Sequence, residues 1–191
     1  MTGFTEFVAR LKAWQVFILL VLPMLAFQFY FMSNMPSPTS SSQPSMEEFE
    51  ALFRQTMLMS LLMVVLLLTW LLSIGFAANR RVERNLRLKT RLAIGCGLYA
   101  ASYIALAQFI FPRPGSSSSE AVSMGLVVPL HLLAMIAIFY VLAFAARNII
   151  MAERQSAVSF FDYSGPFFLM WFSPIGVWFV QPRVNRLVAG H

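Results

Sequence analysis

The sequence is poor in charge. Asp, Glu, Lys and Arg make up 12% of its 191 residues, against about 25% in an ordinary soluble domain. Hydrophobic residues reach 59%. Half the usual charge cannot cover a water-soluble globule of this size, and so apolar a chain is not disordered. Cysteine is nearly absent: Cys96 stands alone, which excludes an intramolecular disulfide, and no Cys/His metal spacing occurs. The sequence also lacks a G-x-S-x-G elbow, an H-E-x-x-H helix, a phosphate-cradling Gly loop and paired carboxylates within its apolar runs. No catalytic set remains, so the protein is expected to be non-enzymatic and to carry no cofactor.

What the sequence does have is long uncharged stretches. Four are free of Asp, Glu, Lys and Arg and strongly apolar: Ala13–Met32, Gln55–Asn79, Leu92–Pro112 and Ala121–Ala146. A hydrocarbon core of about 30 Å takes roughly 20 helical residues, so each is long enough to cross. None alternates polar with apolar residues, which excludes a membrane barrel. The first run is too long for a typical signal-peptide core and has no small-residue cleavage site before Pro36, so it reads as a retained helix. The expected fold is an all-α integral membrane four-helix bundle over residues 1–147. A segment over 148–191 is expected to carry a C-terminal interfacial or re-entrant broken helix.

Basic residues fix the expected orientation. With the N-terminus in the cytoplasm, only Arg54 and Arg113 of the 14 Lys and Arg residues face outward, as the positive-inside bias requires. Both termini are then cytoplasmic, and a bacterial inner membrane is the expected location. The outer loop Ser33–Pro44 is Ser/Pro-rich and reads as flexible. Ser45 with Glu48, and Ser117 with Glu120, carry the S-x-x-E capping-box spacing ahead of the second and fourth helices.

The tail contains a fifth uncharged run, Tyr163–Pro182, whose apolar middle, Phe167–Val180, is 14 residues long and interrupted by Ser173-Pro174-Ile175-Gly176. That length suits an interfacial or re-entrant element, with a fifth span as the alternative. Trp171 and Trp178 are expected at headgroup level, and Arg183 and Arg186 to contact lipid headgroups or a partner.

Several residue groups are candidates for function. Gln28, Gln108 and His131 lie at similar depth toward the outer side and form a candidate polar cluster, or else serve as hydrogen-bonded packing glue. Ala93, Gly97, Ala101 and Ala105 recur every four residues on the third helix, a stripe that lets another helix approach closely, within the monomer or across an oligomer seam. The loop NRRVERNLRLKTR holds six basic residues and one acid. Arg80, Arg81, Arg84 and Arg87 within it are either topology determinants or contacts to anionic headgroups. No aromatic residue is interleaved there to stack on bases, so no nucleic-acid partner is expected.

Met59-x-x-x-Met63 places two thioethers on one helix face, a weak Cu(I) candidate. In this respect the second helix resembles the copper-transporter family, which pairs such a motif with close-packed glycines in the next helix. That family has three spans and a very short link between the two helices, whereas Arg80–Arg91 intervenes here. The tail's Pro174, Ile175, Gly176, Trp178, Gln181, Pro182, Arg183 and Asn185 resemble the terminal segment of small bacterial polytopic membrane proteins. That resemblance implies a location and no activity. The expected function is an accessory subunit or scaffold acting through helix packing, with membrane lipids and another membrane protein or itself as partners. The alternative is a small transporter or channel for a neutral solute or a soft metal such as Cu(I).

Overall fold

The computed structural model describes residues 2–34, 45–110 and 124–189. Those residues form α1 (Thr2–Arg10), α2 (Ala13–Asn34), α3 (Met46–Arg81), α4 (Thr90–Ile110), α5 (Met124–Arg154), α6 (Phe160–Trp171) and α7 (Ser173–Ala189). Four stretches are long and apolar enough to cross a membrane: Ala13–Asn34, Glu50–Arg81, Thr90–Ala107 and Gly125–Arg154. They coincide with the four charge-free runs. α3 starts where its capping box predicts. Ser45 Oγ accepts from the Glu48 amide at 3.3 Å, and Glu48 Oε2 accepts from the Ser45 amide at 3.0 Å, satisfying donors that the first helical turn leaves free. Most of the Ser33–Pro44 loop and the whole of the Ser117–Glu120 signal lie outside the described residues.

The centre of the bundle is the contact of α3 with α5, with α4 packed on both. Small residues make it close. A Cβ on Gly75 would stand 2.9 Å from the Phe144 ring and 3.2 Å from the Ala145 Cα. Ala77 and Ala78 of α3 and Ala145 and Ala146 of α5 are buried beside it. Between apolar helices in lipid, such near approach supplies the dispersion energy that a hydrophobic driving force supplies in water.

Two features depart from the sequence expectation. Residues 2–10 form a short amphipathic helix that contains no long apolar run. It buries Val8 and Ala9 against α3 and α7 and leaves Phe4 and Phe7 exposed. The division between residues 147 and 148 is also displaced, because α5 continues without a break to Arg154 and the tail packs on α1, α2, α3 and α5. Charge had marked the edge of the apolar run, and the helix extends a further two turns past it.

The tail is a re-entrant hairpin. α6 returns antiparallel along α5: Trp171 stacks on Phe139 with ring centroids 4.1 Å apart, and Phe167 lies 6.3 Å from the same ring. Phe139 is 15 residues from Arg154, so the tip lies about 22 Å from the end of α5, at 1.5 Å per residue. The chain then reverses at Phe172, and α7 runs back along α2, where Trp178 packs against Phe17 at 5.5 Å. It ends beside the end of α3. Both the start and the finish of the described chain thus lie at one end of the bundle, which also carries Arg80, Arg81 and Arg154 and is called the basic end below.

Candidate functional site

The feature that ties the tail to the bundle is a single amide. Gln181 is fully buried. Its Oε1 accepts from the Trp70 indole Nε1 of α3 at 2.9 Å. Its Nε2 reaches the Ala9 carbonyl at 3.0 Å, the Leu11 carbonyl at 2.8 Å and Asn185 Oδ1 at 3.2 Å. Asn185, one turn on, donates to Leu11 at 3.2 Å. The last carbonyls of any helix lack an internal partner; here α7 supplies donors for those at the end of α1. Gln181 and Asn185 belong to the tail motif noted in the sequence. Their partners, some 110 to 170 residues away, could not be read from it.

The same logic runs through the basic end. Arg81 donates to the Leu187 and Val188 carbonyls at 3.0 and 2.9 Å, closing the end of α7. Arg87 donates to the Val82 and Arg80 carbonyls at 2.9 and 2.7 Å, closing the end of α3. A cation at a helix C-terminus also complements the helix dipole. Arg80 pairs with Glu6 of α1 at 3.4 Å. Gln155 accepts from the Glu83 amide at 3.0 Å and donates to the Arg81 carbonyl at 2.8 Å, joining the ends of α5 and α3. Asn79 pairs in both directions with the backbone of Leu88.

Arg80, Arg81 and Arg87, which the sequence leaves as topology determinants or headgroup contacts, each have a partner within the chain, and Arg81 and Arg87 stay exposed as well. These three are engaged within the chain, because helix ends converge on the end of α3 and the loop after it. Arg84 remains exposed and makes no hydrogen bond among the described residues. Arg183 is held by Glu153 in a two-pronged pair, Nε at 2.9 Å and Nη2 at 2.7 Å. Arg186 is exposed beside it.

At the start of α6, Asp162 gathers three donors on its two oxygens. The Ser159 amide at 2.8 Å and Ser159 hydroxyl at 2.7 Å reach Oδ2, and Arg154 reaches Oδ1 at 2.6 Å. The Ser159 hydrogen bonds foremost, and then Arg154, hold its carboxyl down at about 2.

The hairpin turn explains the interrupted tail run. Pro174 stands in the first turn of α7, where a missing backbone donor costs nothing. A Cβ on Gly176 would lie 1.6 Å from the Leu169 carbonyl oxygen; only glycine permits the two helices to meet there. Trp171 lies away from the basic end, stacked on Phe139. It sits at the tip, opposite the middle of α5, because α6 re-enters the bundle instead of lying across its end. Trp178 lies nearer the basic end, on Phe17.

The other candidates separate. α2 touches α3 and α7 but neither α4 nor α5, so Gln28 does not meet His131; it is exposed. The side chain of Gln108 lies outside the described residues. His131 instead faces Tyr103, whose hydroxyl lies 3.3 Å from Nδ1, and Tyr99 donates to the Leu130 carbonyl at 3.1 Å. The small-residue stripe is used within the chain: Ala93 is fully buried, and a Cβ on Gly97 would meet Leu72 of α3 at 3.0 Å. Ala101 packs against the core and Ala105 is half-buried.

Met59 lines an apolar cleft between α2 and α3, of about 430 Å³, with Ala26, Phe27, Tyr30, Gln55, Leu58 and Leu62. Met63 is half-buried one turn further along α3. No group of three or more His, Cys, Asp or Glu residues is placed to hold a metal ion among the described residues. Comparison with known proteins finds no matching family model, no matching curated protein and no matching solved structure.

Proposed function

We propose that this protein is a non-enzymatic membrane subunit or scaffold that packs against another membrane protein or a second copy of itself. Four crossing helices make it membrane-embedded. The bias of basic residues toward one end supports a bacterial inner-membrane location with both termini in the cytoplasm.

The observation that carries the reading is the loose seating of α2. Its buried residues, Val16, Leu20 and Val21, all lie in its first half. Beyond them Met24, Leu25, Phe29, Tyr30 and Met32 are exposed. The cleft against α3 is apolar, yet one wall is Gln55, whose Oε1 is buried with no hydrogen-bond partner among the described residues. A buried acceptor without a donor costs about 1–3 kcal/mol. A neighbouring helix bearing a Ser, Thr, Asn or Gln side chain would remove that cost, as interhelical hydrogen bonds do in membranes.

The test is a photo-crosslinking residue at Leu58, inside the cleft, beside one at Leu98, an exposed position on α4. A protein adduct of defined mass at Leu58 and not at Leu98 is the expected result. Lipid adducts alone at both positions contradict the proposal.

A further inference from the structure

At the basic end, α5 and α7 enclose a pocket of about 340 Å³ lined by Ala152, Glu153, Arg183, Arg186 and Leu187. Its charges are unequally committed. Arg183 gives Nε and Nη2 to the two oxygens of Glu153. That fork-to-fork pairing occupies the pocket's one carboxylate and fixes the guanidinium plane. Among the described residues, neither Nη1 of Arg183 nor any nitrogen of the Arg186 guanidinium, three residues along α7, makes a hydrogen bond. Arg81, bonded to the Leu187 carbonyl at 3.0 Å, adds a third guanidinium behind the wall.

We infer that this pocket binds a phosphate group, held between Arg186 and the free edge of Arg183. Glu153 orients Arg183 and does not cancel the site, because two cations line the pocket against one anion. A phosphate monoester offers three terminal oxygens and more than one negative charge, which matches two guanidinium forks better than a carboxylate does. Ala152 and Leu187 give the pocket an apolar side at the level where helix ends meet the membrane surface. Two sources carry this chemistry: the headgroup of an anionic lipid and a free phosphate ion.

The experiment uses the purified full-length protein in detergent. Binding of dioleoyl phosphatidic acid, dioleoyl phosphatidylcholine and sodium phosphate is measured in parallel by native mass spectrometry. Phosphatidic acid is expected to bind in preference to phosphatidylcholine. Arg186→Gln should weaken that binding about fivefold or more, the effect of one basic residue near an anionic headgroup. Arg10→Gln, which removes an exposed charge outside the pocket, should leave it unchanged. Preference for phosphatidic acid without binding of sodium phosphate identifies a lipid headgroup, and the converse identifies the free ion; both uphold the site. Equal binding of the two lipids with no binding of sodium phosphate overturns it, and that comparison needs no variant. An equal effect of Arg10→Gln and Arg186→Gln also overturns it, since diffuse surface charge would then explain the data.

Discussion

Gln181→Leu is the sharpest single perturbation of the bundle. Leucine is close to glutamine in size, so the change deletes hydrogen bonds and leaves little cavity. The Trp70 indole N–H, 1% exposed as a residue, would lose its acceptor. The Ala9 carbonyl would lose its donor, while Leu11 would keep Asn185 at 3.2 Å. Each buried group left unsatisfied costs about 1–3 kcal/mol. One full loss at Trp70 and a partial loss at the end of α1 place the total at about 1.5–4.5 kcal/mol by that scale. Reversible unfolding in mixed detergent micelles measures it. The cycle with Trp70→Phe is the critical control. Removing both partners leaves no orphan between them, so the double variant should be less destabilised than the sum of the singles by at least about 1 kcal/mol. Additive effects, or a cost for Gln181→Leu below about 0.5 kcal/mol, the usual size for an unremarkable surface change, would refute the role assigned to this amide.

Three further outcomes follow from the packing. Gly176→Ala should open the hairpin, because the new methyl meets a backbone carbonyl oxygen that cannot yield; protease cleavage near residue 172 reports it. Gly95→Ala, where nothing lies within 4 Å, should be neutral or stabilise by about 0.5–1 kcal/mol, and equal damage at both positions would contradict this. Gly75→Leu meets the Phe144 ring and α5 backbone and should cost more than the roughly 1–3 kcal/mol of ordinary overpacking. Gly97→Leu meets only the flexible end of Leu72 and should cost less; thermal melts that reverse this order would show the α3–α5 contact to be misjudged. Asp162, with its carboxyl lowered from 3.8 to about 2, stabilises the start of α6 above the unfolded value. That contribution should fade only as pH falls from about 4 toward about 2, and a midpoint near 4 in a carboxyl NMR titration would contradict the Ser159 and Arg154 bonds.

The crossing helices were legible because charge is excluded from lipid, so their signal is local and lies in runs of 20 or more residues. The break in the tail was legible for a similar reason, since Pro174 and Gly176 act on their own backbone. α1 was not, because nine residues carrying Glu6 and Arg10 give no long apolar run, and its apolar face is meaningful only once α3 and α7 are beside it. Nor did the sequence distinguish an arginine that sets topology from one that closes a helix end; Arg81 and Arg84 stand three residues apart in one basic run and differ in what folds back to meet them. Gln28 and His131 do not meet because similar depth does not make helices neighbours: they stand on α2 and α5, which do not touch.

The tail entering the bundle and returning is what brings both ends of the described chain to one side. Its most direct test is a series of single spin labels in a Cys96→Ala background, at Phe160, Phe172 and Arg186. Their collision rate is measured with an impermeant nickel chelate added only to the side of the membrane that carries the N-terminus. The hairpin predicts access at Phe160, protection at Phe172 and access again at Arg186. Access at all three positions would mean a helix lying along the surface, and access at Phe160 with protection at both Phe172 and Arg186 would mean a fifth crossing; either result contradicts the hairpin.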